Sequence, residues 1–210
     1  MPTLHPLAVS VLGLYAGYHY FQRAPRRITP LAPEAIISPA EGRIIHIEQA
    51  TTSTIAFFKK DVLNVLQVAE IAPPFKVVVI ELNLFNVHVQ RAPIAGQVVA
   101  QRYYPGQFAN AMYGADRAHL ANSNEKMLTI IANETTAVAV VQVAGLVATR
   151  ISSCVQPAAV VPKGSLIGRI TFGSQVVLVL RDHAQLAVKV GDVVTDGETV
   201  IATVARPFRS

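Results

Sequence analysis

The chain has 210 residues, of which 51% are hydrophobic and 15% charged, and its only cysteine is Cys154. A chain of this length can bury one sizeable core, and the apolar fraction exceeds that of an ordinary soluble domain, which indicates contact with a membrane. A single cysteine excludes an internal disulfide and a cysteine-rich zinc site. We therefore predict no metal site and expect Cys154 to be a small buried apolar side chain.

The net charge is +5, but most lysines and arginines are scattered, without the basic stripe and interleaved aromatic residues of nucleic-acid-binding proteins. Nucleic acid is therefore not an expected partner. One cluster, Arg23, Arg26 and Arg27, directly follows an apolar stretch. This arrangement is typical of a protein that lies against an anionic lipid surface.

The apolar stretch, PLAVSVLGLYAGYHYF, covers residues 6–21 and carries no charge. It is just short of the ~17–25 residues of a spanning helix, so it either spans the bilayer marginally or lies in the interface. We predict a hydrophobic membrane-anchor helix over residues 1–22, at the cytoplasmic face of the cell membrane because the arginines follow it. The alternative is a buried helix of a soluble domain, and a cleaved signal peptide is less favoured because no basic segment precedes the stretch.

Residues 23–33 contain three prolines and are expected to form a basic linker without regular structure. In residues 34–210, short runs rich in valine and isoleucine are bounded by Gly, Pro, Asn and Asp, which predicts strands, with a short helical turn near residues 59–70. Two segments, SPAEGRII and APIAGQVV, share a Pro-x-x-Gly turn followed by a strand. The predicted class is mainly β, a compact sandwich or barrel of repeated hairpins that resembles the biotinyl/lipoyl hybrid motif.

Several motifs follow one another along the chain. They are SPAEG at 38–42, VHVQRAP at 87–93, YPGQF at 104–108, NEK at 124–126 and FGS at 172–174. In this order and spacing they resemble the short form of the phosphatidylserine decarboxylase proenzyme family, over about residues 20–205. The family usually shows SPADG, VHVNR-x-P, a PGKF-type turn, NER and FGS. The resemblance implies a self-cleaving, pyruvoyl-dependent lyase of phospholipid biosynthesis.

The resemblance implies that the protein cleaves its own bond between Gly173 and Ser174. The Ser174 hydroxyl attacks the Gly173 carbonyl to give an ester, whose β-elimination leaves a dehydroalanine that hydrolyses to a pyruvoyl group. Glycine permits the backbone distortion that this attack needs, and the serine needs a base because its free hydroxyl is a poor nucleophile. The products are a 1–173 chain and a 174–210 chain, which are expected to form a heterodimer.

The resemblance also implies a substrate, phosphatidylserine or a related serine phospholipid. The pyruvoyl group condenses with the amine of the head group and takes up the electrons released when carbon dioxide leaves, which gives phosphatidylethanolamine. No diffusible cofactor is then required. Assembly into a homo-oligomer is left open.

Two residues match family positions with a proton-transfer role. His88 matches the histidine that protonates the carbanion after decarboxylation, and its ordinary pKa of ~6.5 suits this step near neutrality. Taken alone, His88 would be a hydrogen-bonded core residue. Glu41 stands where the family has an aspartate that resembles the acidic member of a relay activating Ser174. An exposed turn carboxylate is the alternative for Glu41.

Arg91 is expected to bind a phosphate or carboxylate oxygen of the substrate bidentately, and a solvated arginine at a strand end is the alternative. Residues 104–106 and 124–126 are expected to brace the site. Two other functions stay open. One is a non-catalytic, membrane-anchored adaptor or carrier of biotinyl/lipoyl-like fold, indicated by VGDVVTDGETVIA, although its hairpin tip at 194–197 has no lysine. The other is an unprocessed pseudoenzyme, which only Glu41 favours.

Overall fold

The computed structural model describes residues 6–59, 62–106, 124–145, 150–171 and 175–205. These residues form one helix and a series of strands, so the mainly β prediction is confirmed. The elements are α1 (Pro6–Phe21), β1 (Ala35–Ile37), β2 (Gly42–Ala50), β3 (Thr54–Lys59), β4 (Val62–Gln67), β5 (Phe75–Glu81), β6 (Val89–Arg91), β7 (Gly96–Tyr104), β8 (Lys126–Ala132), β9 (Ala137–Val143), β10 (Ile151–Ser153), β11 (Val160–Val161), β12 (Leu166–Ile170), β13 (Gln175–Arg181), β14 (Gln185–Leu186), β15 (Val193–Val194) and β16 (Val200–Thr203).

The largest layer is an antiparallel sheet with the strand order β11-β7-β8-β9-β13-β5-β2-β15, which curls into a half-barrel. Two three-stranded sheets, β1-β16-β14 and β10-β12-β6, and the hairpin β3-β4 complete the fold. β13 lies in the middle of the large sheet and pairs with β9 on one side and β5 on the other. It is therefore held by backbone hydrogen bonds along both edges.

Both faces of the large sheet are buried. Because side chains alternate along a strand, Val176 and Leu178 of β13 enter one core while Val177 and Val179 enter the other. The first core lies under the two small sheets, and the second lies under the hairpin β3-β4. Near-continuous apolar runs such as QVVLVL are explained by this burial on two sides.

The helical turn predicted near residues 59–70 is wrong, because Val62–Gln67 forms strand β4 and pairs with β3. Asn64 and Leu66 are buried, whereas Leu63 and Val65 are half-buried, so burial follows the period of a strand. The prediction for Cys154 is also wrong, because this side chain is exposed. Cys154 directly follows β10, an edge strand with one side open to solvent.

The two Pro-x-x-Gly turns have matching geometry at Gly42 and Gly96, which begin strands of nine residues each. A Cβ atom at Gly42 would collide with the carbonyl of Glu81, and one at Gly96 with the carbonyl of Ala132. Each strand has a bulge two residues later and pairs with a short edge strand, β15 or β11. The finer resemblance to the biotinyl/lipoyl motif stays a prediction.

The two halves of this repeat are joined by reciprocal backbone bonds. The amide of Ile37 donates to the carbonyl of Pro93 at 3.1 Å, and the amide of Arg91 donates to the carbonyl of Pro39 at 2.9 Å. These bonds hold the turn that carries Glu41 beside β6. The fold therefore brings the SPAEG and VHVQRAP segments together.

Helix α1 has the bounds of the apolar stretch, and its Tyr15, Tyr18 and Tyr20 are exposed. Among the residues that the structure describes, no helix combines the length and the apolar character needed to cross a bilayer. The role of α1 as a membrane anchor stays a prediction. The segment that follows α1, predicted to be a linker, lies against the β domain, where Pro25 accepts a hydrogen bond from Arg91 and Arg27 pairs with Glu41.

Candidate active site

His88 lies immediately before β6, beside the strand that leads to the predicted cleavage site. The amide of Ile170, the last residue of β12, donates to the His88 carbonyl at 3.0 Å. Gly173 follows Ile170 by three positions in the sequence. Phe172, Gly173 and Ser174 lie outside the described residues, so the predicted cleavage site and the role of Ser174 stay predictions.

The His88 side chain is buried and has a defined orientation. Its Nδ1 atom is 2.9 Å from the carbonyl oxygen of Asn86, and because a carbonyl only accepts, Nδ1 carries the proton. The ring of Phe21 packs on the His88 ring with centroids 4.1 Å apart and planes 33° apart. Nε2 is buried and has no hydrogen-bond partner within the described part of the chain. The atom left to exchange a proton is therefore Nε2.

The surroundings of His88 favour its neutral form. Burial is the main reason that the pKa of His88 lies below its ordinary value, and Arg23 and Arg169 act in the same direction. The Asn86 carbonyl and the Glu41 carboxylate oppose the shift without cancelling it. A neutral imidazole with its proton on Nδ1 presents a lone pair at Nε2, which is the form that acts as a general base.

Glu41 is held by groups on two sides. Its Oε2 is 2.6 Å from Nη2 of Arg27, and its Oε1 accepts hydrogen bonds from the amide of Val87 at 3.1 Å and from Nδ2 of Asn86 at 3.2 Å. Burial alone would raise the pKa of Glu41, but these hydrogen bonds and the Arg27 charge outweigh it, so the pKa lies below its usual value. The alternative of an exposed turn carboxylate is wrong.

Glu41 and His88 are linked through Asn86. Glu41 accepts a hydrogen bond from the Asn86 side chain, and the His88 ring donates one to the Asn86 carbonyl. The ionised Glu41 thus orients the turn that fixes the imidazole. Its role in a relay to Ser174 stays a prediction.

Arg91 is buried in an ion pair rather than solvated, so that alternative is wrong. Its Nε is 2.6 Å from Oδ2 of Asp196, and its two terminal nitrogens donate to the carbonyls of Gly164 at 2.9 Å and Pro25 at 2.7 Å. Every guanidinium nitrogen therefore has a partner within the protein. Binding of a substrate anion by Arg91 stays a prediction.

Asp196 and Arg27 complete this network, and sequence reasoning missed both. Asp196 has no exposed surface. Arg91 pairs with its Oδ2, and Arg27 pairs with its Oδ1. Arg27 therefore bridges Asp196 and Glu41. From the sequence alone, Asp196-Gly197 is predicted to lie in a hairpin tip and Arg27 to face lipid. The recurrence of V-V-x-x-G at residues 160–164 and 193–197 could have marked Asp196 as more than a turn residue.

A pair of buried glutamines supports the backbone at His88. Nε2 of Gln90 donates to the His88 carbonyl at 3.1 Å, and Nε2 of Gln142 donates to Oε1 of Gln90 at 2.7 Å. Both side chains lie in the first core and have almost no exposed surface. This pair ties β6 to β9, and no motif in the sequence pointed to it.

The Asn124-Glu125-Lys126 segment enters β8 and is buried. Nδ2 of Asn124 donates to the Ala144 carbonyl at 3.0 Å, and Oε1 of Glu125 accepts from the Ile151 amide at 3.0 Å. Burial lowers the pKa of Lys126 to about 8. Lys126 pairs with Val143 of β9, and Val143 pairs with Gln175, the first residue of β13. The segment is thus connected through β9 to the start of the strand that follows Ser174, which supports the predicted bracing role.

Comparison with known proteins identifies the family of the chain. The family model described as "Phosphatidylserine decarboxylase" matches residues 14–202. A protein of Desulfotalea psychrophila named "Phosphatidylserine decarboxylase proenzyme" is 40% identical over 186 residues, which cover 88% of this chain and 78% of that protein. Proteins of the same name from Syntrophotalea carbinolica and Magnetococcus marinus are each 35% identical over 190 residues, covering 90% of this chain and 80% and 79% of theirs. The chain belongs to the phosphatidylserine decarboxylase family.

Proposed function

We propose that this chain is a proenzyme that cleaves itself between Gly173 and Ser174 and then decarboxylates phosphatidylserine to phosphatidylethanolamine. The observation that carries the proposal is the buried Nε2 of neutral His88, which lacks a partner among the described residues and lies beside the strand leading to Gly173. Family membership supplies the substrate class. The adaptor alternative is not favoured, because Asp196 in its expected hairpin tip is buried in ion pairs.

In self-cleavage, Nε2 of His88 accepts the proton of the Ser174 hydroxyl, so that the oxygen can attack the carbonyl of Gly173. The imidazole becomes positively charged in this step. The ionised Glu41 stabilises that charge, and Asn86 keeps Nδ1 in place as the donor. The arrangement serves the same purpose as a third group that orients the base of an activated serine.

The mature site fits a pyruvoyl group at position 174, because the orphaned Nε2 of His88 needs a polar partner in a buried site. The pyruvoyl carbonyl supplies the electron sink for decarboxylation. In each turnover His88 takes up at Nε2 a proton released by the ammonium group of the substrate and delivers it to the carbon that loses carbon dioxide. One histidine thus serves both stages, first as a base and then as an acid.

The two chains stay together after cleavage. The 174–210 chain contains β13, which is paired along both edges and buried on both faces. Cleavage between Gly173 and Ser174 precedes β13, which begins at Gln175, so it cuts the connection to β12 without removing any of these pairs. The mature enzyme is therefore a heterodimer of the 1–173 and 174–210 chains.

The protein acts at the membrane that holds its lipid substrate. Leu84 and Phe85 form the tip of a loop just before His88, with 58% and 75% of their surfaces exposed. Arg23 joins this loop to the end of α1 by donating to the carbonyls of Phe85 and Tyr20. The apolar tip and the exposed tyrosines of α1 contact the cytoplasmic face of the cell membrane, so that the head group reaches His88 while the lipid tails stay in the bilayer.

The test combines two measurements on purified protein, the masses of the denatured chains and the conversion of phosphatidylserine to phosphatidylethanolamine. Wild type is expected to show the 1–173 and 174–210 chains, the second blocked by pyruvoyl, and to release carbon dioxide. Ser174→Ala is expected to stay a single 22.6 kDa chain and to be inactive. A wild type that stays uncleaved would support the pseudoenzyme instead.

A further inference from the structure

The segment from Phe21 to Ile28, here called the strap, lies across the candidate active site. Its contacts recur along its whole length, and most of them reach functional segments. Two contacts reach the proton-transfer groups: Phe21 packs on His88, and Arg27 pairs with Glu41 at 2.6 Å. Three contacts involve arginines: Arg169 donates to the Gln22 carbonyl at 2.8 Å, Arg91 donates to the Pro25 carbonyl at 2.7 Å, and Arg23 donates to the Phe85 carbonyl. At the end of the strap, the Ile28 amide donates to the Glu198 carboxylate at 2.8 Å. A linker that only connects an anchor to a domain would not need this series of contacts.

We propose that Phe21 and Arg27 of the strap belong to the apparatus of self-cleavage and that Arg27 is a positioning residue that fixes the Glu41 carboxylate. This inference rests on the proposed function, because it concerns how that cleavage is prepared. It assigns to the segment following α1 a role that is independent of membrane binding. The same segment packs Phe21 on the catalytic His88, so both proton-transfer groups are held from one side.

The position of Arg27 explains how a glutamate can serve at residue 41. Glutamate has one more rotatable bond than the aspartate usual in the family, so its carboxylate is harder to hold in one place. Arg27 removes that freedom by binding Oε2, while Val87 and Asn86 bind Oε1. Placement matters because a shift of about 1 Å can cost on the order of a hundredfold in rate.

Arg27 is also connected to the buried Asp196, which raises the question of whether it only stabilises the fold. Asp196 keeps a second partner, since Nε of Arg91 is 2.6 Å from its Oδ2. Removal of Arg27 therefore leaves the buried carboxylate paired. For Glu41, by contrast, Arg27 is the one basic side chain within ion-pair distance among the described residues.

The charged groups around Glu41 give the test its direction. On one side of the carboxylate lies Arg27, which also pairs with Asp196, and Asp196 pairs in turn with Arg91. On the other side Asn86 lies between Glu41 and His88. Arg27 lowers the pKa of Glu41 together with the hydrogen bonds from Asn86 and Val87, so its loss raises that pKa. If the ionised carboxylate is required, the acid limb of the cleavage rate then moves to higher pH.

The experiment measures the rate of self-cleavage against pH for full-length wild type, Arg27→Ala, Arg27→Lys and Arg26→Ala. Arg26 is the matched control, because it is the exposed neighbour of Arg27. Arg27→Ala is expected to cleave about tenfold to a hundredfold more slowly at neutral pH, with its acid limb at higher pH. Arg27→Lys is expected to recover part of the rate, and Arg26→Ala to match wild type.

A double variant separates positioning from folding. If Arg27 acts through Glu41, the protein with both Arg27→Ala and Glu41→Gln cleaves at the rate of Glu41→Gln alone. Multiplied losses, or Arg27→Ala cleaving like wild type at every pH, would overturn the inference and leave the proposed function standing. Wild type that does not cleave at all would remove the proposed function, and the inference with it.

Discussion

The ring of Phe21 lies on the ring of His88, with centroids 4.1 Å apart, although the two residues belong to different segments of the chain. Phe21 is the last residue of helix α1, and His88 immediately precedes strand β6. The contact shields a histidine whose Nε2 is the proposed base. The end of the apolar helix is thus a wall of the candidate active site.

Replacement of Phe21 by alanine is expected to admit water to His88 and to raise its pKa toward the ordinary value, because burial is the main cause of the lowered pKa. Since self-cleavage needs neutral His88, the acid limb of its rate should move to higher pH. The measurement is the fraction cleaved against time over a range of pH. Phe21→Leu, which keeps an apolar side chain over the ring, is the control, and equal pH profiles for all three proteins would argue against a shielding role.

Glu41→Gln is expected to slow self-cleavage by roughly tenfold to a hundredfold, because the amide cannot stabilise the imidazolium or pair with Arg27. Glu41→Asp keeps the charge and shortens the reach, so it should cleave faster than Glu41→Gln. The time courses of the three proteins on a denaturing gel give the comparison. If all three mature at one rate, Glu41 has no part in the reaction.

The buried Asp196 is expected to matter for stability. Asp196→Asn leaves Arg27 and Arg91 facing an uncharged group, and loss of one member of a buried ion pair costs about 3–5 kcal/mol in the free energy of unfolding. Asp182→Asn, at a partly exposed ion pair with Lys76, should cost no more than about 1 kcal/mol. Denaturant unfolding in the uncleaved Ser174→Ala background measures both. Similar losses for the two variants would contradict the assigned importance of the buried network.

The loop tip before His88 is expected to bind lipid bilayers. Phe85→Asp removes an apolar side chain worth about 1.5–3 kcal/mol on burial, which corresponds to roughly a 10- to 100-fold weaker affinity for vesicles. Val160→Asp is the control, because Val160 is 80% exposed in β11, an edge strand of the large sheet. Co-sedimentation with vesicles containing phosphatidylserine is the assay. Equal binding by Phe85→Asp and wild type would place the membrane contact elsewhere.

Much of the fold was predictable because its signals are local. The valine- and isoleucine-rich runs became strands. The Pro-x-x-Gly turns marked Gly42 and Gly96, where only glycine fits beside a neighbouring carbonyl. The helical turn near residues 59–70 failed because a six-residue strand has too few positions to reveal its period, and its pairing with β3 decided the structure.

Only the site residues that belong to a recognisable sequence motif could be predicted. His88 and Glu41 were found from their motifs, and the structure brings both to Asn86. Arg27 and Asp196 were missed because their ion pair joins positions 169 residues apart, and no local pattern distinguishes the half-buried Arg27 from the exposed Arg26. Pairing of charges across such a separation depends on the complete fold.

The central claim is that Nε2 of His88 is the base that starts cleavage at Gly173-Ser174, and the most direct test is the intact mass of the purified, denatured protein. Wild type and a control, His46→Ala at a half-exposed histidine, are expected to give the 1–173 and 174–210 chains. His88→Ala is expected to remain one chain of 22.6 kDa after prolonged incubation. Cleavage of His88→Ala between Gly173 and Ser174 at the wild-type rate would contradict the account.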